Sequence, residues 1–207
     1  MKIPKSLIIY ASLTGNTEKL ALRFKKIFEK NNWECDIFRV TRDTQYSQLP
    51  QFFNYDFLCL GSPVILRKPL EDLEMIFPLY GKLPNEEFEP LPKGTIPLGP
   101  PPESSLKTGP MPKLEKITFD GRKGVVFATY SGIYLGPKEV EPVLSYLSVQ
   151  MECALRFQCI GQISCVARHA HHDEGWYKDL ANRPTERDLL KAEIIMEEII
   201  ENNYING

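Results

Sequence analysis

Six consecutive residues near the amino terminus have the types and the spacing of a phosphate-binding turn. They are Ser12, Leu13, Thr14, Gly15, Asn16 and Thr17. An apolar run precedes them and an amphipathic segment follows, which predicts a strand, a tight turn and a helix. The first N–H groups of a helix have no intrahelical partners and lie at the positive end of its dipole, so they bind anions. Because this turn contains hydroxyl groups but no lysine or arginine, it favours a single phosphomonoester over a polyphosphate.

This run resembles the FMN-phosphate loop of the flavodoxins and matches that loop at all six positions. It also lies where flavodoxins have the loop, between the first strand and the first helix. The resemblance implies a flavodoxin-like protein with FMN as its cofactor. An ordinary helix cap, in which Asn16 or Thr17 accepts from backbone N–H groups, is a simpler interpretation and is compatible with phosphate binding.

Alternating apolar and amphipathic segments predict an α/β fold in a single domain over residues 1–207. The predicted strands cover residues 6–11, 34–40, 56–62, 123–129 and 159–166. The predicted helices cover residues 17–30, 70–77 and 137–151, and a last helix begins at a capping box over 185–188. Such alternation gives right-handed crossovers and a five-stranded parallel sheet between two layers of helices, a three-layer sandwich. The resemblance to flavodoxins implies the strand order 2-1-3-4-5.

A proline-rich segment before the fourth strand, at about residues 78–122, is predicted to be an insertion. Ten of the 17 prolines lie between Pro78 and Pro112. Regular helix and central strand are therefore disfavoured, because proline removes a backbone donor and fixes φ. The segment is either a flexible or polyproline surface loop or a semi-rigid flap over the cofactor or a partner surface.

Two further loops are predicted to complete the cofactor site, because ligands of such sheets lie beyond the carboxyl ends of the strands. By resemblance to flavodoxins, these loops enclose the isoalloxazine ring and bind its pyrimidine edge. The candidate residues of the second loop are Ser62, Pro63, Val64 and Ile65. Those of the third loop are Thr129, Tyr130, Ser131, Gly132 and Tyr134. Backbone groups from Thr129 to Gly132 would bind the edge of the ring, and Tyr130 or Tyr134 would stack on it or simply cover the core.

The second loop differs from that of many flavodoxins because it contains no aromatic residue. Val64, Ile65 or Leu66 would then make the apolar contact with the ring. The adjacent Arg67 and Lys68 are either solvated, or they attract an acidic partner or the phosphate of a nicotinamide cofactor.

A stretch after the fifth predicted strand suggests a metal site. It contains His169, His171, His172 and Asp173, which are residue types that bind zinc. Three histidines in one irregular stretch rarely surround a single ion, so we interpret the stretch as a surface loop and expect no metal.

The five cysteines contain no C-x-x-C pair. Their apolar surroundings favour reduced, buried thiols in a cytoplasmic protein. Cys159 and Cys165 have the same parity along the fifth predicted strand, so both are expected to face one side of the sheet.

Composition argues against nucleic acid and membrane as partners. The net charge is -2 and the isoelectric point is about 6.0, so no strong field attracts polyanions. No apolar stretch is long enough to span a bilayer, and the apolar run that follows Met1 is too short for a secretion signal. Flavodoxins are typically more acidic, so the basic redox partners usual in that family are less expected here.

We interpret the chain as an FMN-binding electron carrier whose partner is a redox protein or a small-molecule acceptor. The protein would bind and tune the flavin, which would supply the redox chemistry. No acid–base pair or nucleophile has a catalytic setting in the sequence, which favours a carrier. Two alternatives stay open on the same fold: an NAD(P)H-dependent FMN or quinone reductase, and an interaction module that has lost the flavin.

Overall fold

One parallel sheet forms the centre of the computed structural model, which describes residues 3–77, 119, 121–133, 135–168 and 182–205. Its strands are β1 (Lys5–Ala11), β2 (Glu34–Val40), β3 (Phe57–Pro63), β4 (Lys123–Tyr130) and β5 (Gln158–Val166). Their order is β2-β1-β3-β4-β5, and every neighbouring pair is parallel. The predicted α/β fold class and the strand order 2-1-3-4-5 are therefore confirmed.

Within the described residues, three α-helices cover the two faces of the sheet. They are α1 (Asn16–Lys30), α2 (Glu141–Cys153) and α3 (Glu186–Ile200). Helices α1 and α3 pack on one face, and α2 packs on the other. Among the helices of the described ranges, none combines the length and the hydropathy that crossing a bilayer requires.

The alternation of side chains along a strand explains why the sheet has two apolar faces. Leu7 and Ile9 of β1 lie in the apolar cluster under α2, whereas Ile8 and Tyr10 lie in the cluster under α1 and α3. Strands β1, β3 and β4 are buried on both faces, as is usual for the central strands of a parallel sheet. Their sequences are therefore continuous apolar runs.

The capping box predicted at the start of α3 is present. The Asp188 N–H donates to Thr185 Oγ1 at 3.3 Å, and the Thr185 N–H donates to Asp188 Oδ2 at 2.8 Å. Partial burial favours the neutral form of Asp188, but the hydrogen bonds from Thr185 and the nearby Arg183 outweigh it and lower the pKa of this carboxyl. The carboxylate that the box requires is thus stabilised at neutral pH.

Two of the predicted helices differ from the structure. The predicted helix at 70–77 is a 3₁₀ segment, Glu71–Ile76, and the predicted helix at 137–151 is divided into a 3₁₀ turn, Gly136–Glu139, and α2. Proline in the first turn of both halves explains the division, since a proline cannot donate to a continuous helix. The proline-rich insertion lies almost entirely outside the described residues, so its two interpretations stay predictions.

An irregularity in β5 overturns the prediction that Cys159 and Cys165 face one side of the sheet. Gly124 of β4 pairs with Cys159, but the next residue, Val125, pairs with Gly161. One extra residue in β5 shifts the alternation of faces by one position. Cys159 consequently packs against the α2 side and Cys165 against the α1 and α3 side. Burial raises the pKa of the Cys165 thiol to about 12, so this thiol stays protonated at neutral pH.

Gly61 of β3 makes room for the buried ring of Phe127 on β4. A Cβ atom added at Gly61 would lie only 2.1 Å from the nearest carbon of that ring. The ring is fully buried and lies edge-on to the ring of Phe24 at 5.2 Å between centroids. We predict that Gly61→Ala lowers the free energy of unfolding by about 1–3 kcal/mol, the cost of overpacking a core. Urea unfolding measures it, and adding Phe127→Leu should restore part of the loss. A neutral Gly61→Ala would contradict this packing.

Candidate functional site

A pocket lies at the carboxyl edge of the sheet, where the loops after β1, β3, β4 and β5 meet. Its volume is about 320 Å³, within the range of sites for small molecules and cofactors. The strand order reverses between β1 and β3, and such a switch point is where doubly wound sheets bind ligands. The residues that line it are Leu13, Thr14, Asn16, Pro63, Val64, Ile65, Leu66, Thr129, Tyr130, Ser131, Ala167 and Arg168.

The structure brings most of the sequence-predicted site residues to this pocket. Those that line it are Leu13, Thr14, Asn16, Pro63, Val64, Ile65, Thr129, Tyr130 and Ser131. Those that belong to the same loops without lining it are Ser12, Gly15, Thr17, Ser62 and Gly132. Tyr134 lies outside the described residues. Contact of these residues with a cofactor stays a prediction, but the three predicted loops do converge.

Gly15 gives the first loop its shape. It precedes α1 with φ of 80°, and its N–H donates to Ser12 Oγ at 3.1 Å. A residue with a Cβ atom is strained in this conformation. The side-chain amide of Asn16 donates to Thr14 Oγ1 at 3.1 Å, and no side chain caps α1. The simpler interpretation, in which Asn16 or Thr17 caps the helix, is therefore wrong. Among the described contacts at this end of α1, the side-chain acceptor is Ser12 Oγ, which bonds to the N-cap residue Gly15 rather than to the first turn of the helix.

Two buried threonines join the first loop to the third. The hydroxyl oxygens of Thr17 and Thr129 lie 2.8 Å apart, with the two residues 1% and 3% exposed. The backbone carbonyl of Thr129 also accepts from the Val64 N–H at 2.8 Å. Thr129 thus contacts both of the other predicted loops. The Thr17 hydroxyl is bonded to Thr129, and Thr17 does not line the pocket. Thr14 is therefore the threonine of the first loop that lines the pocket.

Side chains of β1 and β2 also stabilise the first loop. The Arg39 guanidinium donates to the carbonyl of Ser12 at 3.0 Å and lies 3.7 Å from a carboxylate oxygen of Glu18. The Tyr10 hydroxyl donates to the other Glu18 oxygen at 2.9 Å. Burial, the bond to Glu18 and its charge raise the pKa of Tyr10 to about 12, so the phenol remains a donor. These contacts fix the loop independently of any ligand.

The second loop begins with a buried serine that holds its two ends together. The Ser62 hydroxyl donates to the carbonyl of Pro63 at 2.9 Å and accepts from the Leu70 N–H at 2.8 Å. Ser62 is fully buried. Its hydroxyl is therefore a structural group of the loop, and the apolar residues that follow it line the pocket.

A two-residue hairpin forms the tip of the second loop. Ile65 and Lys68 exchange both backbone hydrogen bonds at 2.9 Å, and the intervening Leu66 and Arg67 have φ of 49° and 64°. Positive φ at both central positions is the geometry of a type I′ turn, which normally contains asparagine, aspartate or glycine. Leu66 is 90% exposed. The sequence contained no signal for this turn because neither residue favours the left-handed region.

Glu139 organises the third loop and was missed by the sequence analysis. Its carboxylate accepts from the N–H groups of Gly132 and Leu135, both at 3.0 Å, and from the Ser131 hydroxyl at 3.4 Å. Glu139 is buried, and Gly132 has φ of 69°. A glutamate that follows Pro-Lys at a helix start normally indicates a solvated side chain, so its sequence position gave no sign of this role.

Tyr130 is mostly a core residue. It is 8% exposed and belongs to the apolar cluster on the α2 side of the sheet, although part of it lines the pocket. Burial is the main cause of its raised pKa, so the phenol is neutral. The alternative in which this tyrosine covers the core fits the structure.

The sequence analysis also missed the two pocket residues that follow β5. The Ala167 N–H donates to the carbonyl of Tyr130 at 2.8 Å, which fixes this segment beside β4. The side-chain amide of Asn16 donates to the carbonyl of Arg168 at 3.4 Å, so Arg168 lies next to the first loop. Among the described residues that line the pocket, Arg168 is the one of a charged type. Their distance along the chain from the first loop concealed this proximity.

Within the described ranges, no group of three or more histidine, cysteine, aspartate or glutamate side chains is arranged to hold a metal ion. The histidine-rich stretch at 169–173 lies outside those ranges. Its interpretation as a surface loop therefore stays a prediction.

Comparison with known proteins shows a likeness of fold. No family model and no curated protein matches the sequence. Flavodoxin 2 from Bacillus cereus is 17% identical with a TM-score of 0.55, over 96% of this chain and 99% of that one. A short-chain flavodoxin associated with a PDU bacterial microcompartment is 12% identical with a TM-score of 0.58, over 97% and 99%. A WrbA-like flavodoxin from Agrobacterium tumefaciens is 10% identical with a TM-score of 0.53, over 99% of each chain. At these identities the likeness shows the flavodoxin-like fold alone.

We predict that Glu139→Ala destabilises the chain and loosens the third loop. Loss of this carboxylate leaves the N–H groups of Gly132 and Leu135 without their acceptor, which should cost about 1.5–3 kcal/mol of unfolding free energy. Urea unfolding gives the energy, and hydrogen exchange at the two amides locates it. Glu141→Ala, at an exposed position of α2, is the matched control and should change little. Unaltered exchange at Gly132 would contradict the role of Glu139.

Proposed function

We propose that the protein binds FMN in this pocket and acts as an electron carrier. The observation that carries the proposal is that one pocket joins an uncapped helix N-terminus to an apolar wall at the switch point of the sheet. FMN needs both features, because it has a charged phosphate at one end and a flat ring system at the other. The volume of about 320 Å³ suits partial enclosure of such a ligand.

The donor set at the first loop fits a phosphomonoester. Thr14 lines the pocket there with a hydroxyl that is free to donate, because it accepts from the Asn16 amide, and the N-terminus of α1 adds the positive end of its dipole. A Cβ atom at Gly15 would meet nothing closer than a Glu18 oxygen at 4.0 Å, so the glycine is needed for its φ rather than for space. Arg168 adds a cation beside this loop, which favours a dianionic group further.

The opposite side of the pocket fits an apolar ring. Pro63, Val64 and Ile65 line it from the second loop, and Tyr130 and Ser131 line it from the third. Bound FMN would supply the redox chemistry, and these residues would position the ring and exclude water from it. Ring contact through aliphatic side chains agrees with the absence of an aromatic residue from the second loop.

The ionisable groups of the pocket favour a carrier over an enzyme with its own acid–base chemistry. Among the residues that line it, Tyr130 and Arg168 are the ionisable ones. The raised pKa of Tyr130 keeps it neutral. Among the described residues, the lining thus contains no carboxylate, histidine or thiol to move a proton. Assay of the FMN-loaded protein for NAD(P)H oxidation with a quinone acceptor tests the reductase alternative.

We predict that the chain binds FMN much more tightly than riboflavin, because the first loop recognises the phosphate. Thr14→Val keeps the size of the side chain but removes its hydroxyl, and should weaken FMN binding by about 1–3 kcal/mol. Riboflavin affinity should not change. Quenching of flavin fluorescence on titration measures both constants, and Thr44→Val, on the loop after β2, is the control. Equal affinities for the two flavins would exclude the phosphate site.

We also predict that Arg168 contributes to phosphate binding by its charge. Arg168→Gln should weaken FMN binding and make the remaining affinity less sensitive to salt, since screening acts on charge interactions. Riboflavin again serves as the internal control. An unchanged salt dependence would show that Arg168 has no electrostatic part in the site.

A further inference from the structure

Each of the three loops at the pocket exposes an apolar side chain. Leu13 of the first loop is 57% exposed, Leu66 of the second is 90% exposed and Leu135 of the third is 51% exposed. The strands that these loops follow are neighbours in the order β1-β3-β4. The leucines therefore occupy one edge of the molecule. Exposed apolar side chains grouped around a site indicate a surface that another molecule covers.

Leu66 is the most unusual of the three. It is exposed, and its φ of 49° is unfavourable for a leucine. The two backbone bonds between Ile65 and Lys68, together with the bond from Val64 to Thr129, hold this conformation in place. The fold thus presents a leucine rigidly to solvent although a glycine or an asparagine would suit the turn better. An apolar side chain that is already held in place lowers the cost of ordering an interface.

Positive charge surrounds these leucines. Arg67, Lys68 and Lys138 are exposed, and none of them has an ion-pair partner within the described part of the chain. Of the nearby carboxylates, Glu18 contacts Arg39 and Glu139 is buried in the third loop, whereas Glu71, three residues after Lys68, is exposed. This edge is therefore locally basic although the whole chain has a net charge of -2.

We propose that this edge is a docking surface for an acidic electron-transfer protein. We call it the rim, and its residues are Leu13, Leu66, Arg67, Lys68, Leu135 and Lys138. The partner would place an apolar patch on the leucines and carboxylates opposite the three cations. The redox role of that partner rests on the function proposed above, whereas the surface itself does not.

Two other occupants fit the rim less well. A second copy of this chain, docked by two-fold symmetry, would bring Arg67, Lys68 and Lys138 against their own counterparts, and like charges in an interface are repulsive. A small anion such as a nicotinamide dinucleotide needs a concave site. The hairpin tip is instead convex, with Leu66 90% exposed. An extended surface with an apolar centre and charges spread over two loops suits a protein.

An NMR titration of the ¹⁵N-labelled full chain, as purified and again after saturation with FMN, tests the rim. The probe is a plant-type [2Fe–2S] ferredoxin as an acidic electron-transfer protein, and cytochrome c is its basic counterpart. At low ionic strength the ferredoxin should shift the amide signals of residues 13, 65–68, 135, 136 and 138, and added salt should reverse the shifts. Cytochrome c should leave these signals unchanged.

Charge reversal separates the rim from the rest of the surface. Arg67→Glu and Lys68→Glu should each weaken ferredoxin binding about threefold to tenfold, while Lys26→Glu, at an exposed position near the end of α1, changes the net charge equally and should have little effect. Leu66→Gly should weaken binding without lowering the free energy of unfolding, because glycine tolerates the positive φ. A residue that served only the fold would not separate binding from stability in this way.

The proposal is overturned if ferredoxin causes no shifts at low salt, if its shifts map outside the rim, or if cytochrome c binds there instead. It is also overturned if Lys26→Glu has the effect of Lys68→Glu, or if labelled protein alone shows concentration-dependent shifts at the rim, which would indicate self-association. The FMN titration tests the proposed cofactor independently of the rim. Ferredoxin shifts at the rim with no FMN binding would support the surface and refute the proposed cofactor.

Discussion

The hydroxyl-to-hydroxyl bond between Thr17 and Thr129 is the constraint on which the site depends. It joins the first turn of α1 to the end of β4 in a buried position, although β3 lies between β1 and β4. The backbone carbonyl of Thr129 also accepts from the N–H of Val64. A displacement of any one loop would break a buried polar contact, which is costly because water cannot replace the lost partner. The three loops therefore keep their relative positions without a ligand.

Around that constraint, each loop is completed by one further polar group of the protein. Arg39 bonds to the first loop, Ser62 bonds within the second and Glu139 bonds within the third. The backbone of each of these loops is thus held in place by hydrogen bonds within the protein. Such preorganisation means that a ligand does not have to order the loops when it binds, which increases affinity for a given set of contacts.

The fold could be predicted from the sequence to a large extent, because buried parallel strands are apolar runs and the turn at Ser12–Thr17 is distinctive. The bulge in β5 could not be predicted, because one extra residue does not change the sequence pattern of an edge strand that alternates imperfectly. The hairpin at Leu66 and Arg67 could not be predicted, because these residues disfavour the positive φ that the bonds between Ile65 and Lys68 impose. Glu139 bonds across its loop, and Arg168 lies beside a loop that is far from it in sequence, and only the folded chain brings these residues together.

The bulge in β5 also affects how the edge of the sheet can pair with another molecule. β5 is an edge strand, and an open strand edge can pair with another molecule and begin an aggregate. A bulge twists such an edge away from the flat geometry that pairing needs. Beside it, the carboxylate of Glu152 accepts from the N–H of Cys159 at 3.0 Å, and Ser148 accepts from the Gln162 amide at 2.9 Å. The bond to Glu152 also occupies a backbone N–H of β5 that would otherwise be open to an added strand.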